Sequence, residues 1–175
     1  RPQLNNIFLK GDMPGVVMTY AEVELLLAEA KARWAGEITT GADASAHYEN
    51  GVRAAIHFLE KFGAKAFDEQ AIDTYLQANS LPAGGLDAQL TAINTQLWIL
   101  HFNNIPEGYA NWRRTDIPVL LPSPHYGAVT IDSQTTPLRL CYPLFESSYN
   151  PEGYQSAIQA MGGKDDWNSP VWWDK

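Results

Sequence analysis

The sequence predicts an all-α fold: paired antiparallel helices, then an irregular proline-rich strap. Three observations predict it. Apolar residues recur at helical spacing in successive segments, as in Leu86, Leu90, Ile93, Leu97 and Leu100. Capping residues and glycines bracket those segments. Beyond them Pro118, Pro122, Pro124, Pro137 and Pro143 forbid a long helix. The chain reads as one domain: a lead-in over 1–16, helical hairpins over 17–114, and a strap, one helix and a Trp-rich tail over 115–175.

The first helix is predicted from about Thr19 to Ala35, with Gly36 as its stop. Val17, Ala21, Leu25 and Ala28 share one face. Val23, Leu26, Leu27, Ala30 and Trp34 widen it into an arc broad enough to predict packing on two sides. Glu22, Glu24 and Glu29 read as surface positions beside that arc. The second helix is capped by Asp43 or Ser45 and ended by Gly63, with Tyr48, Val52, Ala55, Ile56, Leu59 and Phe62 at helical spacing. The short loop between the two predicts an antiparallel hairpin. A third helix is expected over 68–78, with Ile72, Tyr75 and Leu76 inward. "SLPAGG" breaks the chain. A fourth follows over 86–103, and a short fifth over 107–113. "TPLRLCYPLFE" reads as an extended piece. The last helix has Asn150 as cap, Pro151 in its first turn and Gly162-Gly163 at its end. The helix pairs resemble a loose repeat array without closely matching the tetratricopeptide consensus.

The chain carries 20 acids against 12 bases, a net charge of -8. That charge argues against a nucleic-acid partner, which needs a basic surface. The one cysteine, Cys141, can form no internal disulfide, and no Cys/His spacing suggests a metal. His47, His57, His101 and His125 lack a paired ligand at helical spacing. Asp165, Asp166 and Asp174 follow no calcium-loop pattern and read as solvated acids. No cofactor motif, nucleophile signature or facing carboxylate pair is visible, so the sequence predicts no enzyme. The chain starts at Arg1 rather than Met, which reads as a cut end.

"MTYAEVELLLAEAKARW", "INTQLWILHFNNIPEGYANWRRTDIP", "TPLRLCYPLFESSYNPEGYQSAIQAMGG" and "DDWNSPVWWDK" occur in the order expected for the C-terminal part of SusD/RagB-like outer-membrane lipoproteins of Bacteroidetes, and the chain resembles their SusD-like 2 subgroup most. The resemblance implies a scaffold of tetratricopeptide-like hairpins. It also implies a lipid anchor on an N-terminal cysteine absent here, with much of the ligand surface outside this span. By the same resemblance the protein captures oligosaccharides or polysaccharides without catalysis and delivers them to a SusC-like TonB-dependent porin. The alternative is a helical-repeat scaffold that contacts the porin and binds no glycan.

Aromatic faces can stack on sugar rings, but the same residues build helix cores. Trp34 and Trp98 are expected in the core, and Trp172-Trp173 as a terminal plug. Trp112, Arg113 and Arg114 end a predicted helix, where cations meet the negative end of the helix dipole, so they are expected as a structural latch. The ligand residues are expected in the loop "LLPSPHYGAVTIDSQTT", with His125 and Tyr126 as its most sugar-like side chains.

Overall fold

The computed structural model describes residues 6–120, 136–171 and 173. Contacts sort the chain into two compact units, Arg1–Trp112 and Arg113–Lys175, where the sequence reads one domain whose texture changes after Pro118. Among the described residues the regular elements are helices, with no strand.

The first unit is built on α1 (Tyr20–Arg33), α2 (Ala44–Phe58), α3 (Glu69–Ala78) and α4 (Leu86–Leu100). Thr19 caps α1 by accepting the Glu22 amide at 3.0 Å, and Asp43 caps α2 by accepting the Ala46 amide at 2.8 Å. Each cap satisfies an amide that the first helical turn leaves without a partner. α2 tightens into a 3-10 turn, Leu59–Phe62, which Gly63 ends at φ 93°. α4 ends likewise in a 3-10 turn, His101–Asn103. α1 and α2 form the expected hairpin, and α4 packs on α1.

The core of this unit joins Leu25 and Ala28 of α1, Tyr48 and Val52 of α2, Ile72 and Leu76 of α3, Leu81, and Ile93 and Leu97 of α4. Burying each large apolar side chain is worth roughly 1.5–3 kcal/mol. The buried face of α1 is made partly of other residues than its sequence predicts, with Glu22, Glu24, Glu29 and Lys31 flanking the apolar stripe. Ala21, Leu25 and Ala28 are closed to solvent, whereas Val23, Leu26, Leu27 and Trp34 stand 38–49% exposed. α1 packs against both α2 and α4, as the arc predicts, but Trp34 lies outside the core, which corrects that expectation. α2 approaches α1 closely. A Cβ on Gly51 would lie 2.7 Å from Leu25 Cγ and 3.2 Å from the Ala21 carbonyl. That missing side chain lets α2 close on the Ala21–Leu25 stripe.

Other boundaries shift for local reasons. α1 ends at Arg33, and the carbonyl of the following Trp34 accepts the amides of Glu37 and Ile38, so Gly36 sits inside a turn rather than at the helix stop. Tyr75 of α3 is 39% exposed rather than inward. α5 spans Ile105–Thr115, longer at both ends than expected. Asp116 follows it at φ 55°, a left-handed conformation that Asp tolerates better than most residues.

In the second unit the "TPLRLCYPLFE" stretch makes no strand. Its Leu138 amide donates to the Trp167 carbonyl at 2.8 Å. A single turn, α6 (Glu146–Tyr149), follows. α7 (Pro151–Ala160) keeps its predicted punctuation. Asn150 accepts the Gly153 amide at 3.3 Å, and Gly162 and Gly163 turn the chain back at φ 90° and 92°.

Candidate functional site

Of the residues singled out in the sequence, His125 and Tyr126 lie outside the described residues. Trp112 is buried on α5, its ring stacked on Tyr109 with centroids 6.2 Å apart. Arg113 and Arg114 occupy the last turn of α5. The Arg113 guanidinium lies 4.6 Å above the ring of Trp173, a cation–π geometry. Trp172 lies outside the described residues.

Polar and aromatic groups converge on Asp165 in the second unit. The Gly162-Gly163 turn brings Asp165 back towards residues 139–142. Its Oδ1 accepts from Arg139 Nη1 at 2.6 Å, and both side chains are about nine-tenths buried. Oδ2 accepts the Tyr142 amide at 3.1 Å and the Tyr154 hydroxyl at 3.4 Å. Arg139 also donates to the Asp166 carbonyl, and its guanidinium sits 5.1 Å over the Tyr142 ring. Asp166 accepts from the Asn168 amide and the Ser169 hydroxyl. The expectation that Asp165 and Asp166 are merely solvated acids is thus corrected: one is a buried hub, the other caps a turn.

This hub borders a cavity of about 610 Å³ lined by Leu140, Tyr142, Leu144, Ser147, Tyr154 and Trp167, among others. The rings of Tyr142 and Tyr154 meet at 83°, 6.0 Å apart. Burial and the nearby Asp165 carboxylate push the Cys141 thiol and the Tyr154 hydroxyl above their ordinary values. Both therefore stay protonated at neutral pH, and Cys141 is a poor nucleophile. Among the described residues, no group of three His, Cys, Asp or Glu side chains could hold a metal ion.

The first unit has a groove of about 390 Å³ between α2, α3 and α4, lined by Phe58, Phe67, Tyr75, Ile99 and Phe102 among others. Its buried acids also depart from the sequence reading. Glu22, Glu24 and Glu29 are buried, not surface. Glu24 lies 2.7 Å from His47 and Glu29 2.7 Å from Arg33, each within hydrogen-bond distance, whereas Glu22 stands 3.4 Å from His101 without a hydrogen bond to it. Lys31, also buried, donates to the carbonyls of Ile38 and Thr40 in the α1–α2 loop.

Burial pushes the Glu24 carboxyl up, but hydrogen bonds from His47 and Tyr20 outweigh it and hold the group below its ordinary value of 4.5. A carboxyl depressed by folding stabilises the folded state above its unfolded pKa, and that contribution fades as pH falls through the folded pKa. Below about 4.5 the parent should therefore lose stability more steeply with acid than Glu24→Gln, as read from urea midpoints at successive pH values. Parallel slopes would remove Glu24 from the acid response.

A family of SusD-like proteins, "Starch-binding associating with outer membrane", matches residues 2–143. No curated protein matches the chain. Among solved structures, a chitin-binding protein is 41% identical with a TM-score of 0.76, over 93% of this chain and 34% of that one. A SusD-like protein of Bacteroidetes is 38% identical with a TM-score of 0.84, over 99% and 33%. A SusD homologue from Bacteroides fragilis is 32% identical with a TM-score of 0.70, over 89% and 34%. The chain thus spans about a third of the length of these structures.

Proposed function

This chain belongs to the SusD-like family, and from that premise we propose that it is part of a non-catalytic protein that captures glycan at the cell surface of a member of the Bacteroidetes. The captured oligosaccharide or polysaccharide passes to a SusC-like TonB-dependent porin. A lipid on a cysteine outside this sequence holds the protein at the outer membrane. The observation that carries this reading is the family match over residues 2–143, under a description of starch binding at the outer membrane. The 41% identity to a chitin-binding protein supports the glycan class.

The buried acids support a role without hydrolysis. Glycosidases use two carboxylates facing each other across the scissile bond. Glu24 and Glu29 are instead engaged by His47 and Arg33, and Glu22 faces His101 on the scaffold. Asp165 is engaged by Arg139.

The apolar groove between α2, α3 and α4 favours a second reading, a scaffold for protein contact with the porin that binds no glycan itself. A glycan-array screen of the chain tests both. Retention of neutral oligosaccharides without shortened products supports capture. Silence on every glycan, with a porin co-purifying, supports the scaffold. Release of shortened sugars would overturn both.

A further inference from the structure

We propose that the Asp165 pocket of the second unit is a subsite for one neutral sugar ring of a glycan chain. The proposal rests on the capture reading above and gives it a location and a ligand class. Three features of the pocket carry it.

The first is size. About 610 Å³ falls within the roughly 300–1,000 Å³ of small-molecule sites. The second is the walls. Tyr142 and Tyr154 form a near-perpendicular corner, with Trp167, Leu140 and Leu144 beside it. A pyranose presents apolar C–H faces and a polar rim, and an aromatic corner with a polar floor complements both. Tyr142 remains 39% exposed although Arg139 sits over its ring.

The third is the sign of the polar groups. Asp165 Oδ2 receives the Tyr142 amide and one long bond from the Tyr154 hydroxyl. A carboxylate oxygen can accept more. The Tyr154 hydroxyl donates to Asp165 and the Ser147 hydroxyl to the Leu144 carbonyl, so each keeps acceptor capacity towards the cavity. The floor therefore accepts hydroxyl protons. No lysine or arginine lines it among the described residues. The nearby cation, Arg139, is already engaged by Asp165 and the Asp166 carbonyl. A uronate or sulfated sugar would meet a carboxylate without a free counter-charge, so the pocket selects neutral rings.

The test titrates the whole chain with maltohexaose, chitohexaose and hexagalacturonate, by calorimetry and by amide resonance shifts. At least one neutral hexaose should bind and shift the amides of Tyr142 and Asp165, and hexagalacturonate should not. Tyr142→Ala should weaken that binding at least roughly tenfold. Tyr154→Phe, which keeps the ring, should weaken it roughly three- to tenfold. Tyr149→Ala, an exposed side chain outside the pocket lining, should leave it unchanged. Slow exchange of the Leu138 amide, bonded to the Trp167 carbonyl, certifies that each variant keeps the second unit folded. A neutral hexaose that binds both variants undiminished overturns the subsite and leaves glycan capture standing. Hexagalacturonate shifting the same amides overturns the neutral class. A chain that binds none of the three overturns the subsite, and failure of the parent on every neutral glycan counts against capture itself.

Discussion

Leu25→Ala is expected to destabilise the helical unit by about 2–5 kcal/mol, whereas Leu26→Ala should cost under about 1 kcal/mol. The two residues are neighbours of identical chemistry, so the contrast isolates environment. Leu25 is wholly buried among Tyr48, Val52, Ile93 and Leu97, while Leu26 stands 40% exposed. Truncating Leu25 leaves a cavity that its surroundings are poorly placed to fill. On one side the nearest element is α2 at Gly51, which has no side chain to move. On the others are helices fixed by the rest of the core. Urea unfolding followed by far-ultraviolet circular dichroism gives both values, with unchanged slopes showing that only stability has moved. Equal losses at the two positions would refute the placement of Leu25 in the core and Leu26 at the surface.

That contrast also marks where sequence reasoning stopped. Periodicity gives the phase of an apolar stripe but not its width. Leu25, Leu26 and Leu27 step round the helix by about 100° each, so a run of three leucines covers more than half the circumference without naming the side that packs. The choice is made by the elements that pack on α1, α2 and α4, and Gly51, a residue 26 positions away, takes part through an absent side chain. Local punctuation was far more legible. Asp43, Gly63, Asn150, Pro151 and Gly162 act through backbone groups within a few residues of themselves, and short-range chemistry is what a linear pattern records.

The candidate site was less legible for the same reason. Arg139 and Asp165 are 26 residues apart, and no spacing rule joins them. An acidic pair on an acidic chain reads as solvated until a fold brings a guanidinium to it. Glu22 and Glu24 were similarly hidden. Their partners His101 and His47 sit on other elements, so each histidine looked solitary and each acid looked exposed. A usable hint did exist: Glu22, Glu24 and Glu29 fall within a helix whose apolar residues were already too many for one face.

Arg139→Ala should be the most damaging single change in the second unit, at roughly 3–5 kcal/mol. Removing the guanidinium leaves the Asp165 carboxylate buried without its charge partner and takes the cation from the Tyr142 ring. Desolvation drives the loss, because an uncompensated buried charge costs more than a lost surface pair. The companion variant Arg139→Leu/Asp165→Leu removes both charges and fills much of the space, so it should lose less than the sum of the two single changes. Hydrogen exchange gives a readout confined to this unit. The Leu138 amide reports the link to Trp167, and the Tyr142 amide reports its own bond to Asp165. In Arg139→Ala both should exchange far faster. In the double variant Leu138 should regain protection, while Tyr142, having lost its acceptor, should not. Additive losses, or a Leu138 amide still protected in Arg139→Ala, would mean that the glycine turn and the α7 cap hold this unit together and that the charge pair merely decorates it.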